Sequence, residues 1–539
     1  MDETPAVIDH QGLEGLDYAA IIVYLVVTFG ISIWFGRKQK NTEDFFVGGR
    51  QMPWFVIGLS ILATLFSTLT YQGVPGEVIK NGIAIFTGYL SLPLTFLVIS
   101  FLWIPFFMRL KLTSAYEYLE QRFSYPVRCM GAILFVLLRL GWMSMVVFSA
   151  SLALDHIKGP DLQFLSGPDL YWWIGAIGLV AAIYTSIGGI QAMVWIDVLQ
   201  CLLLLFGVVM TIGFIMYTDG TTPIDWWRTA NENTTSHVTP PLYSTNVFVQ
   251  RTVLFVMINS FFWHCCTHAS DQVVLQRYFS TPSLAAARRS YFTNLIVDVS
   301  MAGLLTLAGL GLLAFYLKRT YLLDGKDPIS MADRLFPTFL GNQLPAGCAG
   351  LIISAFLCDA IQTLEAGVNA ITAVFTKDLL PKRSEAAERA PSQLMFVRVV
   401  TIVIALIAAS AAYGVDFVQR QSPDMNLVSM MPKFFNMFLG PLAGMFIVGM
   451  FVPRATTVCV LPAAILGLVI SIIWSWWEFI FGTKESPTIF LAVAVPCLTT
   501  IAVSAALSVF FGAKLHSGSG YTWWAIVKGK KESRPESAE

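Results

Sequence analysis

A long apolar run between residues 346 and 374 contains several polar side chains of the kinds that bind ions. They are Asp359, Gln362, Thr363, Glu365 and Asn369. Residues three or four apart on a helix lie on one face, so these side chains can line one side of a cavity. Carboxylate, amide and hydroxyl oxygens are ligands for a hard cation, and a carboxylate inside a membrane can also transfer a proton. The spacing therefore favours an ion path across a membrane.

The composition of the chain is that of a membrane protein. Of its 539 residues, 56 % are hydrophobic and 13 % are charged, and the mean hydropathy is +0.67. A soluble chain is typically about a quarter charged. The formal net charge is zero, so no global basic field indicates a nucleic-acid partner. The partner that the composition predicts is the lipid bilayer.

Apolar runs of roughly twenty residues recur about thirteen times, and charged residues, glycine or proline separate them. We expect membrane spans near 17–36, 53–72, 84–109, 126–156, 169–188, 191–217, 246–268, 290–317, 346–374, 395–415, 427–451, 456–477 and 487–511. This prediction divides the chain into a segment at 1–16, a transmembrane transporter domain at 17–511 and a tail at 512–539.

Basic residues predict the orientation, because lysine and arginine concentrate in short cytoplasmic loops. If the amino terminus is outside, the inner loops receive Arg37, Lys38 and Arg109, and the inner tail contains KGKKESR. The outer loops are poorer in basic residues. We therefore expect a multi-pass protein of the plasma (inner) membrane, with an extracellular amino-terminal segment and a cytoplasmic tail.

Two spans contain polar stretches where uninterrupted helix is expected. The first is FSTLTYQGVPGE, residues 66–77, in which glycine and proline cluster at 73–76. A helix broken or frayed within residues 66–77 would free backbone carbonyls that can bind a cation. The second is INSFFWHCCTHASDQ, residues 258–272. Its His264 and His268 have a spacing that suits a metal ion, a neighbouring helix or a ligand.

Seven short motifs occur in order along nearly the whole of residues 17–511. They are FFVGGRQMP (45–53), GVPGEVIKNG (73–82), LTSAYEYLEQRF (112–123), YTSIGGIQAMVWIDVLQ (184–200), LQRYFSTPSLAAARRSYF (275–292), AVFTKDLL (373–380) and GPLAGMFIVGMF (440–451). Together these motifs resemble the sodium:solute symporter family. The resemblance is greatest to the branch that contains the iodide, multivitamin and monocarboxylate symporters.

The resemblance implies an all-α membrane fold with two inverted five-helix repeats of the LeuT type. The repeats would occupy about 53–217 and 246–451, with one helix before them and two after them. Solute and ion would bind near the midplane, beside the broken first helix of each repeat. The implied activity is symport of a small organic solute with a cation, most simply sodium, by alternating access. Neither an enzyme activity nor an organic cofactor is implied.

The resemblance also implies a sodium-like site. Its backbone ligands fall on Ala63, Phe66 and Asp359 in this sequence. Its side-chain ligands fall on Gln362 and Thr363. Where the family usually has two adjacent hydroxyls, this chain has an amide and a hydroxyl, so an amide oxygen would have to take the place of one hydroxyl ligand.

Asp197 and Glu365 fall on positions of a second cation site that some family members contain. Three interpretations are open: the two carboxylates bind a cation, Glu365 transfers a proton, or Glu365 bonds a neighbouring helix. Asp271 stands where the family usually has an asparagine, and Asp298 adds another acid. Acids with few basic residues at the same depth favour a cationic solute or proton coupling, whereas Lys433 leaves a zwitterion open.

The expected solute contacts come from the same two broken spans and from the eleventh span. They are Thr70, Tyr71, His264, Asp271 and Lys433. Two alternatives to sodium symport remain, namely a proton-coupled or uncoupled carrier of a cationic or zwitterionic solute, and a transport-inactive sensor on the same scaffold. A sensor would need a sizeable signalling domain after the last span, where this sequence has the short segment 512–539.

Overall fold

A computed structural model gives the fold of most of the chain. The described residues are 14–37, 51–110, 114–157, 169–184, 190–237, 239–379, 391–422, 425–483, 485–512 and 518–529. Every regular element in these ranges is helical, which confirms the all-α class. The segment predicted at 1–16, the tail predicted at 512–539 and the inner-loop residue Lys38 lie wholly or mostly outside the described residues.

The first half of the chain forms helices α1 to α10. They are α1 (Gly15–Gly36), α2 (Trp54–Leu65), α3 (Thr68–Asn81), α4 (Leu92–Val98), α5 (Ile104–Leu110), α6 (Ala115–Arg122), α7 (Tyr125–Ile157), α8 (Asp169–Tyr184), α9 (Ile190–Asp219) and α10 (Pro223–Asn233). A 3₁₀ segment, Gly82–Ser91, and a π segment, Ile99–Trp103, continue the helical path from α3 to α5.

The second half forms helices α11 to α22. They are α11 (Val253–Ser270), α12 (Gln272–Phe279), α13 (Leu284–Lys318), α14 (Ala332–Asn342), α15 (Cys348–Val374), α16 (Pro391–Gln421), α17 (Leu427–Met431), α18 (Met437–Phe451), α19 (Thr457–Ser475), α20 (Trp477–Phe481), α21 (Ala494–Phe511) and α22 (Trp523–Lys528). A π segment, Pro432–Asn436, joins α17 to α18.

Each of the thirteen predicted spans falls on helix. Within the described residues, ten helical stretches are long and apolar enough to cross a membrane. The other three predicted spans fall on α2 and α8, which are shorter apolar helices, and on α11, which contains polar residues such as His264 and His268. Hydropathy therefore located the helices, although it did not reveal where they break.

Burial separates the central helices from the peripheral ones. In the most apolar stretch of α15, 78 % of the residues are buried inside the protein, compared with 17 % in α1. Helices α2 and α3 are also central, since α2 buries most of its length from Val56 to Leu65. The polar side chains of α15 therefore face other helices, whereas α1 lies on the outside.

The first helix of each predicted repeat is broken. Between α2 and α3 the backbone leaves helical geometry at Phe66 (φ −103°, ψ 74°) and Ser67 (φ −81°, ψ 171°). Between α11 and α12 it leaves helical geometry at Asp271 (φ −84°, ψ 115°). Breaks at corresponding positions of two repeats are typical of transporters that bind their solute at the midplane.

The first break does not lie at the glycine and proline cluster. Residues 73–76 belong to α3, which continues through Pro75. The glycines serve packing instead, because a Cβ on Gly73 would approach Val428 Cγ2 to 3.3 Å and a Cβ on Gly76 would collide with Asp333. The break therefore lies at the start of the predicted stretch 66–77, and the glycines of that stretch let α14 and α17 lie close to α3.

Candidate functional site

Asp359 of α15 fixes the break between α2 and α3. Its Oδ2 accepts hydrogen bonds from the amide and the hydroxyl of Thr68, each at 2.5 Å, and its Oδ1 accepts one from Gln200 Nε2 at 2.6 Å. A carboxylate is stabilised at a helix N-terminus, where free amides and the helix dipole both attract it. The Asp359 side chain thus orients α3, and it is the backbone carbonyl of Asp359 that the sodium-like site would use.

A small cavity of about 10 Å³ lies beside this break. Ala63, Asp359, Gln362 and Thr363 line it, so the structure brings together four of the five residues expected in the sodium-like site. The volume is about enough for one water molecule, so it suits a single dehydrated ion.

Gln362 presents its amide oxygen without a hydrogen-bond partner among the described residues. The side chain is buried, and its Nε2 donates to Cys358 Sγ at 3.4 Å. A buried acceptor without a donor is uncommon and costs free energy unless an ion or water satisfies it. Because Gln362 also lines the small cavity, its unpartnered amide oxygen fits a cation ligand, as the amide-for-hydroxyl replacement requires.

Phe66, the fifth expected ligand, lies at the edge of the break. Its amide donates to the Leu62 carbonyl at 2.7 Å, and it lines a larger cavity on the other side of the break. Helix α2 ends at Leu65, so the carbonyls of its last turn, Ala63 among them, have no amide partner within that helix. Backbone oxygens at Ala63 and Phe66 are therefore available to a ligand.

Asp197, predicted for a second cation site, has a buried arginine as its partner. Its Oδ2 lies 3.2 Å from Arg277 Nη2 and accepts a hydrogen bond from Ser60 Oγ at 2.5 Å. Arg277 is 2 % exposed and its Nε donates to the same hydroxyl at 2.9 Å. Asp197 therefore already has a positive partner at the expected second cation site, because α12 turns Arg277 inwards.

Glu365 lies away from the small cavity, which Gln362 and Ala366 line on the same helix. It is 2 % exposed, and no hydrogen bond or ion pair to it is found within the described part of the chain. Cys358, two helical turns earlier on the same side, packs against Tyr24 of α1. The polar side chains of α15 therefore do not share one cavity, and Glu365 faces the α1 side.

A larger cavity of about 180 Å³ lies between α3, α11, α13 and the α17 to α18 segment. We call it the central cavity. Thr70 and His264, two of the five expected solute contacts, line it. Its other polar lining residues are Ser67, Tyr89, Asn259, Ser260, Asn294, Asp298, Thr306 and Asn436. The central cavity is lined mostly by apolar and aromatic side chains with a small number of polar groups, which is the lining of a site for a small solute.

Comparisons with known proteins show the family of this chain. Residues 45–467 match the model of the sodium:solute symporter family. The chain belongs to the sodium:solute symporter family. Among curated relatives, the sodium/sialic acid symporter SiaT of Proteus mirabilis is 29 % identical over 85 % of this chain and 88 % of its own. The human sodium/iodide cotransporter is 27 % identical over 88 % of this chain and 71 % of its own.

Solved structures place this symporter-family member in the LeuT-like fold. A Na⁺-coupled sialic acid symporter, solved in a substrate-bound outward-open state, matches with a TM-score of 0.73 and 27 % identity. The match covers 93 % of this chain and all of that one. A nucleobase-cation-symport-1 family transporter matches with a TM-score of 0.54 at 13 % identity, which shows the fold alone. The predicted family and fold are thus confirmed.

Three expected solute contacts lie outside the central cavity. The Tyr71 hydroxyl donates to the Leu204 carbonyl at 2.9 Å, and its ring stacks on Phe336 at 5.1 Å. Asp271 caps α12 through the Val273 amide at 2.9 Å and forms an ion pair with the buried Arg139. The side chains of Tyr71 and Asp271 thus hold helices in place and do not line the central cavity.

Lys433 is the third expected contact that lies elsewhere. Its Nζ donates to the Ser475 carbonyl at 2.8 Å and to Glu478 Oε2 at 3.1 Å. It lines a separate vestibule of about 880 Å³, which also includes Arg251 and Asn426. Because Lys433 is neutralised there, it is not a partner for a solute carboxylate in the central cavity.

A cluster of Asp298, His264 and Tyr89 lies in the central cavity. Asp298 Oδ2 is 3.8 Å from His264 Nε2, and Asp298 Oδ1 accepts a hydrogen bond from the Tyr89 hydroxyl at 3.1 Å. His268 turns to Tyr278 at 2.6 Å, and no group of three or more metal-binding side chains occurs among the described residues. The alternative of a metal site at His264 and His268 therefore has no geometric support.

The cluster was only partly visible in the sequence. Asp298 stands out as an acid in an apolar span, but its site was not assigned. Asn294 with Asp298, and Ser260 with His264, are each one turn apart, which is the spacing of a polar face on a buried helix. Tyr89 has no such signal because it lies on the 3₁₀ segment Gly82–Ser91.

Contacts at Glu77 join α3 to two residues that line the vestibule. Glu77, which is completely buried, pairs with Arg251 Nε at 2.6 Å and accepts a hydrogen bond from Asn426 Nδ2. Arg251 precedes α11, Glu77 belongs to α3, and Asn426 precedes α17. We call these three residues the outer contact. It joins one repeat to the other on the vestibule side.

Proposed function

We propose that this protein is a sodium-coupled symporter that moves a small organic solute across the membrane by alternating access. The observation that supports the sodium site most is the unpartnered amide oxygen of Gln362 at the small cavity. Ala63 and Thr363 line the same cavity. Sodium binding there would bridge α2 and α15, and so would link the ion to the position of the broken helix.

The link between ion and solute follows from the two cavities. The small cavity touches Ala63 in the last turn of α2, and the central cavity touches Phe66 and Thr70 just beyond it. An ion that orders the break also orders the first turn of α3, where the solute would bind. Each ligand would therefore lower the free energy of binding of the other, which is what symport requires.

We further propose one sodium ion per cycle. Asp197, which would be the anchor of a second cation, is already paired with Arg277 at 3.2 Å. The guanidinium supplies the positive charge that a second ion would bring. One charge moving inwards contributes about 2.3 kcal/mol per 100 mV of membrane potential.

The sodium-driven uptake of candidate solutes into proteoliposomes tests this proposal. Sodium and pH gradients are imposed independently on vesicles that contain the purified protein. The trial solutes are sialic acid, iodide, lactate, phenylalanine and phenethylamine. We expect at least one solute to accumulate only when sodium is high outside. Uptake of all active solutes at the same rate without sodium would refute the sodium proposal.

A second candidate function, proton coupling, rests on Glu365. An isolated buried charge costs several kcal/mol, so an unpaired Glu365 must take up a proton or meet a cation at some step. In the proteoliposome experiment, proton coupling would appear as uptake that follows an inward pH gradient. Loss of that uptake in Glu365→Gln, with uptake kept in Glu117→Gln at a half-buried position of α6, would assign the proton to Glu365. An unchanged response in Glu365→Gln would exclude it.

A further inference from the structure

The central cavity contains one carboxylate and no lysine or arginine among the residues that line it. The carboxylate is Asp298 of α13, which is 7 % exposed. The other titratable side chains that face it are His264 of α11, at 3.8 Å, and Tyr89, at 3.1 Å. A cavity with this lining has a negative potential when Asp298 is ionised and His264 is neutral.

A second acceptor lies one helical turn from Asp298. Asn294, also on α13, is 2 % exposed, and its Oδ1 has no hydrogen-bond partner among the described residues. Asn294 and Asp298 lie on the same face of the helix and both line the central cavity. A ligand group with several N–H donors would satisfy both oxygens, since each N–H donates one hydrogen bond.

Aromatic side chains form a wall of the same cavity. The Trp142 ring lies 4.8 Å from Phe435 and 6.2 Å from Trp263. Trp263 meets the His264 ring edge-on at 5.1 Å. Aromatic faces attract cations through the ring quadrupole and also accept the apolar part of a ligand. The wall therefore suits a compact organic cation.

The buried arginines near this site do not offer their charge to the central cavity. Arg139 lies 5.0 Å from the ring of Trp142 but pairs with Asp271, and Arg277 pairs with Asp197. Both arginines line the small cavity and neither lines the central one. An anionic solute would therefore leave its charge without a partner in the central cavity, which is costly in a low dielectric.

We propose that the solute is an organic amine in its protonated form, with its ammonium group bound by Asp298 and Asn294 and its apolar part held against Trp142 and Trp263. This inference rests on the proposed function and names the class of solute that the symporter takes. Tyr89 and His264 orient the Asp298 carboxylate.

Matched sets of ligands test the charge preference directly. Each set has one frame and three charge states: phenethylamine, phenylalanine and phenylpropionate; tryptamine, tryptophan and indolepropionate; isopentylamine, leucine and isocaproate. Equilibrium binding to the purified full chain in lipid nanodiscs is measured in sodium buffer. We expect the amine to bind at least about tenfold more tightly than the carboxylate in at least one set. A carboxylate or amino acid that binds best in every set, or no binding of any amine, overturns the inference.

Variants assign the preference to Asp298. Asp298→Asn keeps the size of the side chain and removes its charge, so amine binding should fall at least about tenfold while carboxylate binding does not fall. Asp324→Asn, an exposed acid in the loop after α13, is the matched control with the same change in net charge. If Asp298→Asn does not fold, Tyr89→Phe supplies the second measurement, since loss of its hydrogen bond to Asp298 should change amine binding more than carboxylate binding.

The results separate this inference from the proposed function. Sodium-driven uptake of a carboxylate, together with tighter binding of carboxylates, would leave the symporter proposal standing and overturn the amine. If amine binding depends on Asp298 but sodium has no effect on uptake, the solute is an amine and sodium coupling is overturned. Amine binding equal in Asp298→Asn and the parent chain overturns the role of Asp298.

Discussion

Arg277 and Asp197 form a buried ion pair in which Nη2 lies 3.2 Å from Oδ2. Arg277 Nε and Asp197 Oδ2 also share the hydroxyl of Ser60, at 2.9 Å and 2.5 Å. The pair connects α12, in the second repeat, with α9, in the first. Removing one member of such a pair leaves an uncompensated charge in the interior, which is more damaging than removing both.

Arg277→Met is therefore expected to destabilise the folded protein by about 3–5 kcal/mol. The double variant Arg277→Met with Asp197→Leu should recover a large part of this loss, because no buried charge then remains. Thermal melting of the purified variants, followed by size-exclusion chromatography, measures both effects. A double variant less stable than the single one would show that the two residues do not act as a pair.

Sodium affinity should depend on the Gln362 amide oxygen. Gln362→Leu keeps the approximate volume and removes the ligand, so the sodium concentration for half-maximal uptake should rise about tenfold or more. Gln362→Ser restores an oxygen of the kind usual in the family and should retain sodium dependence. Gln121→Leu on α6 is the control for a glutamine outside the site.

A direct ion-binding measurement complements uptake. A bound ion stabilises the folded state by RT ln(1 + [L]/Kd), so sodium should raise the melting temperature of the parent protein relative to potassium at equal ionic strength. Gln362→Leu should lose most of this difference. An undiminished sodium effect in Gln362→Leu would remove Gln362 from the site.

The fold was largely predictable from hydropathy, whereas the first helix break was predictable only to within a stretch of residues. The polar stretch 66–77 predicted a break, and the break lies at its start, at Phe66 and Ser67, and not at its glycines and proline. The contact that stabilises it joins Thr68 to Asp359, which are 291 residues apart in the chain. No local signal encodes a cap supplied by a distant helix.

The site was predictable where the family pattern fixes the backbone. Ala63, Gln362 and Thr363 meet at one cavity as the resemblance implies. The partners of buried acids were not predictable, because Asp271 pairs with Arg139 across 132 residues. Sequence shows which charges lie in apolar spans, but only the packing of the helices shows which of these charges neutralise one another.

Asp333 makes the stability depend on pH. Burial raises its pKa from the ordinary value of 3.8 to about 7, the charge of Glu77 adds to this rise, and a hydrogen bond from the Leu427 amide at 2.9 Å partly opposes it. Lys80 of α3 and the neighbouring Arg334 also oppose it. Between about pH 4 and pH 7, the folded protein therefore keeps a proton on Asp333 that the unfolded chain has already released.

Stability should fall as the pH rises through that window, because the folded state binds more protons than the unfolded state. We expect the melting temperature to decrease from about pH 5 to about pH 8, and Asp333→Asn to flatten this decrease. Asp327→Asn, which changes an exposed acid shortly before α14, serves as the control. A pH profile that Asp333→Asn leaves unchanged would contradict this assignment.

The outer contact should control access from the vestibule to the central cavity. Glu77 is buried, and Arg251 at 2.6 Å supplies its positive partner. In Arg251→Ala, the Glu77 carboxylate has only Asn426 as a partner while the path is closed. When the path opens, water reaches the carboxylate. Hydrogen bonds to charged groups are worth about 1.5–3 kcal/mol, so the equilibrium should move at least about tenfold towards the form that is open on the vestibule side.

Cysteine labelling measures this shift in intact vesicles. Thr306→Cys places a thiol in the central cavity, and a membrane-impermeant reagent reports how often the vestibule side opens. Arg251→Ala should raise its labelling rate about tenfold or more, whereas Arg228→Ala on the exposed face of α10 should not. Because the eight native cysteines supply a background, the same variants without Thr306→Cys are labelled in parallel. If Arg251→Ala and Arg228→Ala label at equal rates, the outer contact does not close the path.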